Sequence, residues 1–219
     1  MSQVIFSKED RRISWPGLVT LIIASVMAIG SMATFAIPYL ALDPEVLGRF
    51  EGRRAWILAH VGFGAIALIL GPIQIWFGLK RRRLQLHRYL GVAYLTSVAL
   101  GSIPAFYLAA TNQIHWIFGL GLGGLAVAWV TSTGLGFAAI RKRMISQHQE
   151  WMVRSYVTTF AFVTFRFFVG FLQVTGVGTL VEQLNAASWF CWAVPLLITE
   201  AIIQGRKVLR SPASKSLAG

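Results

Sequence analysis

The chain has 219 residues, 56% of them hydrophobic and only 13% charged, with a formal net charge of +12 and a positive mean hydropathy. That balance excludes a soluble globular domain and describes an integral membrane protein. The basic excess argues against nucleic acid, because 16 of the 20 lysines and arginines fall at one set of ends of the apolar segments.

A hydrocarbon core of about 30 Å takes roughly 20 apolar residues at 1.5 Å each. Six segments reach that length: 16–40, 54–79, 87–110, 116–140, 150–174 and 187–205. The connections are short, so a single domain is expected. It divides into a cytoplasmic segment at 1–15, a six-helix transmembrane domain at 16–205 and a basic cytoplasmic tail at 206–219. The first apolar run is too long for the core of a cleaved signal peptide, about 7–15 residues, and reads as a retained anchor.

Basic residues precede span one (Lys8, Arg11, Arg12) and lie between spans two and three (Lys80 to Arg83, with Arg88). Others lie around the turn between spans four and five (Arg141 to Arg143, with Arg154) and after span six (Arg206, Lys207, Arg210, Lys215). On the other side Arg49, Arg53 and Arg54 are matched by Asp43, Glu45 and Glu51. This positive-inside bias predicts both termini in the cytoplasm, with the basic groups facing anionic lipid headgroups.

Span two carries His60, Gly64, Ala67, Gly71 and Gln74 on one helical face, two polar residues joined by three small ones. Small residues permit close approach, either by a neighbouring helix or by a flat cofactor. Pro72 is expected to free a backbone carbonyl and to bend the span. Spans two and three form a hairpin with His60 and His87 near opposite ends; spans four and five repeat the plan with His115 and His148. The shared layout points to a parallel internal repeat and a four-helix bundle of spans two to five, flanked by spans one and six.

Span four is rich in glycine between Gly119 and Gly136 and holds Thr131, Ser132 and Thr133, which suggests close packing beside a polar space. Ser146-x-x-Gln149 reads as a capping box opening helix five. Five whole turns later comes Arg166, so His148, Ser155, Thr159 and Arg166 are expected on one face. Cys191 is the only cysteine, so no internal disulfide exists.

An intramembrane arginine is costly unless paired or hydrated, and faces the protein interior. Arg166 reads either as an anion clamp for a haem propionate, quinone carbonyl or carboxylate, or as a group satisfied by carbonyls and hydroxyls. Glu200 is expected to snorkel or to pair with Arg88 or Arg154. The four histidines are the best metal ligands in the chain. Diagonal helices would offer His60 with His115, and His87 with His148, as axial pairs for haem b. Each imidazole also suits an ordinary interfacial role. Walker, GxSxG, HExxH and CxxC motifs are all missing.

The runs AHVGFGAIALILGPIQ (59–74), LHRYLGVAYL (86–95) and HQEWMVRSYVTTFAFVTFRFF (148–168) resemble domain of unknown function 2306, a family of bacterial multi-pass membrane proteins. Matching positions are His60, Gly71, Pro72, Gln74, His87, Arg88, Gly91, His148, Trp151, Met152, Arg154 and Arg166; His115 lies outside the pattern. The resemblance implies a membrane protein without an assigned activity. Histidine order alone is also similar to that of cytochrome b561 and related membrane di-haem cytochromes.

Three functions follow as expectations. The first is transmembrane electron transfer through haem b, with His60, His87, His148 and His115 as ligand candidates, Arg166 at a propionate, and a quinone or redox partner. The second is a small transporter or channel for protons or small anions lined by His60, Gln74 and Arg166. The third is a non-catalytic subunit of a larger membrane complex.

Overall fold

The structure is a computed structural model that describes residues 15–80 and 83–210. Lys8, Arg11, Arg12, Arg81, Arg82 and Lys215 lie outside the described residues. Helix α1 (Trp15–Ser31) passes through a π-helical turn, Met32–Ala36, into a last turn, α2 (Ile37–Leu40). Short α3 (Pro44–Gly48) starts at Asp43, whose side chain accepts the Glu45 N–H at 2.9 Å while Pro44 supplies a preset φ. Then come α4 (Arg54–Lys80), α5 (Leu84–Ala110), α6 (Trp116–Arg141), α7 (Ile145–Thr159), α8 (Ala161–Thr175) and α9 (Leu180–Arg210). Among the described residues five helices are long and apolar enough to cross a membrane, and α7 with α8, taken together, meets the same length and composition with a bend of 43° between them.

Packing follows the expected plan. Antiparallel pairs α4–α5 and α6–α7 are joined through α5–α6 into a central bundle, α9 lies against α6 and α8, and α1 lies against α4 and α8. Val19, Ile22, Ile23, Val26 and Ile29 on α1 stay exposed, as side chains facing lipid do. Lys80, Arg83 and Arg141–Arg143 mark one end of the bundle, the basic end, and the opposite one is the far end. Helix α9 reaches five residues beyond its expected limit; its 31 residues make about 46 Å, more than the hydrocarbon core needs.

The turns explain two departures from the sequence reading. After α6, Arg143 takes a left-handed φ of 59°, its N–H reaches Ile140 O, and the Met144 N–H reaches Ala139 O. This is a Schellman closure, and it delivers the chain directly into α7. Met144 is therefore the N-cap, no side chain caps it, and Ser146 is not the start of a capping box. A capping box does open α9, where Thr179 and Glu182 bond reciprocally.

The second departure is the break at Phe160. Hydroxyls on both sides of it, Thr158, Thr159 and Thr164, bond back to carbonyls three or four residues earlier, a habit that bends helices. The break destroys the five-turn register between His148 and Arg166. Ser155 and Thr159 enter the bundle, whereas Arg166 turns towards α1. Pro72 acts as expected on its neighbour: lacking an N–H it frees the Leu68 carbonyl, and the Tyr156 hydroxyl approaches that oxygen at 3.4 Å. Helix α4 nevertheless remains continuous through Pro72. Gly71 makes this contact possible, since a Cβ there would stand 2.0 Å from the Tyr156 ring.

Candidate functional site

The centre of the bundle is polar. The Tyr94 hydroxyl on α5 lies 2.8 Å from Ser155 Oγ and 2.9 Å from Thr159 Oγ1, both on α7. Ser155 lies 2.7 Å from Thr133 Oγ1 of α6, and the Trp129 indole donates to Thr159 Oγ1 at 2.8 Å. Thr133 and Thr159 also reach carbonyls of their own helices, Trp129 O and Ser155 O. All five residues are buried, Ser155 completely.

A hydrogen inventory gives this cluster its chemical character. Each hydroxyl carries one hydrogen and accepts others. Four hydroxyl hydrogens therefore serve five oxygen–oxygen contacts. One ordering runs in a single direction, Thr159 to Tyr94 to Ser155 to Thr133 to the Trp129 carbonyl. In another, Tyr94 donates to Thr159 and Thr159 to the Ser155 carbonyl. Hydrogens can redistribute between them without any helix moving.

Imidazoles stand on both sides of the cluster. Towards the far end, His60 bonds through Nδ1 to the Gly101 carbonyl at 3.0 Å, and its ring meets the Trp129 indole edge-on at 6.3 Å. Towards the basic end, His148 bonds through Nδ1 to the Gly136 carbonyl at 2.9 Å. His87 interacts electrostatically with His148, and its backbone carbonyl accepts the Gln74 amide at 3.0 Å. A carbonyl only accepts, so the neutral rings of His60 and His148 carry hydrogen on Nδ1 and leave Nε2 as a free base. From His87 to Gly101 along α5 is 14 residues, about 21 Å of a core about 30 Å thick.

His115 has another role. It is the N-cap of α6, where Nδ1 accepts the Ile117 N–H at 3.3 Å with Asn185 beside it. Trp129, against which His60 packs, lies 14 residues further on, about 21 Å along α6. The structure thus places His87 and His148 at the same end of the bundle and keeps His60 and His115 apart.

At the basic end Arg154, 9% exposed, lies over the Trp151 ring at 4.6 Å and donates from Nε to Glu200 at 2.9 Å. Glu150 pairs with Lys207 at 2.7 Å, and these groups line a cavity of about 440 Å³ between α7 and α9. The expected Glu200–Arg154 pair is present. Residues of the sequence motifs converge on this half of the bundle: Gly71 meets Tyr156, Gln74 lies beneath Gly91 and reaches His87, and Met152 fills the space beside Gly136.

The family model described as "Predicted membrane protein (DUF2306)" matches residues 57–203, about two thirds of the chain. The chain belongs to the DUF2306 family. Neither a curated protein nor a solved structure matches it. The DUF2306 match covers α4 to most of α9 and leaves α1 outside, so the family unit contains the whole polar bundle.

For haem b the donor set divides: His87 and His148 offer two imidazoles at the basic end, whereas His60 stands alone and the His115 Nδ1 is engaged as a cap. The layout shared with cytochrome b561 has no counterpart in facing His60 and His115 rings. Arg166 joins neither group. Its guanidinium lies over Phe35, Phe162 and Phe165 at 4.9, 5.6 and 5.9 Å. Such contacts contribute about 0.5–1 kcal/mol each, against a cost of at least about 2.5 kcal/mol for an arginine at the centre of a span. They act on the face of the ion and accept none of its N–H groups.

Sequence reasoning had picked out Ser155, Thr159 and Thr133 but not Tyr94 or Trp129. Tyr94 lies seven residues after His87 and so two turns along the same face, a signal that was available.

Proposed function

We propose that this protein moves protons across a bacterial inner membrane through the centre of the α4–α7 bundle. The basic end would face the cytoplasm by the positive-inside bias. His148 and His87 exchange protons at that end, the Tyr94–Ser155–Thr133–Thr159 cluster carries them through the middle, and His60 exchanges them towards the far end. The observation that carries the reading is the cluster itself, a buried hydroxyl chain with one contact more than it has hydrogens.

Histidine suits both ends because an imidazole can accept a proton on one ring nitrogen and release one from the other. Seven residues, about 10 Å of helix, separate His148 from Ser155 and His87 from Tyr94, and water bridges these intervals in this reading. The Trp129 indole is a donor only, so protons must pass beside it. Gly64, one turn from His60 on the same face, has nothing within 4 Å of where a Cβ would stand and offers that route.

The test is acidification of dye-loaded liposomes driven by a potassium diffusion potential. Wild-type protein is expected to exceed the leak of empty vesicles by about tenfold or more, and His60→Leu to return it to that leak. Wild-type flux equal to that of empty vesicles would overturn the proposal.

A second reading, haem b held by His87 and His148 for electron transfer, is supported by the placing of these two imidazoles at the same end of the bundle, within electrostatic range of each other. Haem would supply a one-electron couple there, and the two imidazoles would hold its iron. A reducible Soret band after haem supplementation is expected in wild type and lost in His148→Ala; a featureless wild-type spectrum would eliminate haem.

A further inference from the structure

Arg166 is a charge the bundle does not use. Among the described residues it has no ion pair and no hydrogen bond, and its Nε is buried without a partner. It belongs to α8, in a run of apolar residues, and its half-buried side chain lies over Phe35, in the turn that follows α1. Three phenylalanine rings surround the guanidinium. Rings attract the positive face but leave the in-plane N–H fork empty, and that fork fits two oxygens of a carboxylate or phosphate.

A second observation lies on the opposite helix. The first span loosens into a π-helical turn at Met32–Ala36, closed by the Ile37 N–H to Met32 O bond, and Phe35 belongs to that turn. Such turns insert a residue into a helix and recur at functional sites. Here the inserted turn holds the ring that lies nearest the guanidinium. A cation with unfilled donors, caged by aromatic rings and reached from the bilayer, is a receptor for an anion that carries its own apolar body.

We propose that Arg166, with Phe35, Phe162 and Phe165, binds the phosphate or carboxylate of a membrane amphiphile whose chain lies along α1 and α8. This site is separate from the proton path: α8 diverges from the bundle at the 43° break, and the hydroxyl cluster belongs to α5, α6 and α7.

The test is native mass spectrometry of the full chain in mild detergent, titrated with a palmitoyl-oleoyl phosphatidylglycerol, oleate or neutral dioleoylglycerol. Wild type is expected to bind one anionic probe about tenfold more tightly than Arg166→Gln. Arg166→Lys, which keeps the charge but not the planar fork, should bind between wild type and Arg166→Gln, and dioleoylglycerol should not distinguish the variants. Binding of the phosphatidylglycerol alone assigns the site to a phospholipid, and binding of oleate alone to a free carboxylate. Equal binding of both anionic probes by wild type and Arg166→Gln, or binding of neither, would overturn the proposal.

Should Arg166→Gln fail to fold, wild type alone decides. A diazirine-bearing fatty acid should crosslink within 31–36 and 162–170; crosslinks spread evenly over the lipid-facing helices would reject the site. Loss of proton flux with lipid binding intact, or the reverse, separates this inference from the function proposed above.

Discussion

Tyr94→Phe is expected to lower proton flux into liposomes by at least tenfold while leaving the protein folded. The phenol on α5 hydrogen-bonds to both Ser155 and Thr159, and its removal cuts the hydroxyl chain in the middle. The ring itself is retained, so the packing of Tyr94 against Ala67, Val98 and Trp129 stays. Ser155 keeps Thr133, and Thr159 keeps Trp129 and its own backbone contact, so no hydroxyl is stranded. Interhelical hydrogen bonds in membrane proteins average about 0.6 kcal/mol, which puts the stability loss near 1 kcal/mol. Flux and melting temperature measured on the same preparation therefore separate a relay from a structural tie. Unchanged flux with a lowered melting temperature would reduce the cluster to packing.

Gly121→Ala is expected to lower stability by about 3 kcal/mol or more in a detergent unfolding titration. A Cβ at this position would stand 2.2 Å from Ser188 Oγ, 2.8 Å from its Cβ and 3.0 Å from its backbone carbon. A side chain can rotate away, but the Ser188 backbone belongs to α9 and cannot, so α6 and α9 must separate. Separation also pulls the Trp192 indole from the Gly121 carbonyl, now 3.1 Å away. Combining Gly121→Ala with Ser188→Gly should recover much of the loss, because the nearest obstacles vanish together. A fully stable Gly121→Ala protein would show that the α6–α9 approach is looser than described.

Much of the architecture was legible along the chain, for a physical reason. In a bilayer each backbone polar group must be satisfied within its own helix, so length and apolarity alone define a span. Basic residues mark the ends by their cost of crossing. The stripe on α4 was readable in the same way, and its members do meet neighbours: Ala67 is fully buried, Gly71 receives Tyr156 and Gln74 reaches His87. Less legible was the candidate site, because it depends on which helices face each other and at what height. His115 looks equivalent to His60 in order and side, yet one caps a helix end while the other packs deep against Trp129.

By itself the sequence determined a helical membrane protein with short connections, a basic end and a glycine-rich, closely packed interior. Only the tertiary structure decided that span five breaks at Phe160, that Arg166 leaves the histidine face, and that Tyr94 and Trp129 complete the polar centre. The reason is one of range. Span length and charge bias are sums over local residues, whereas a hydroxyl chain across three helices depends on rotations and offsets set by side chains distant in sequence.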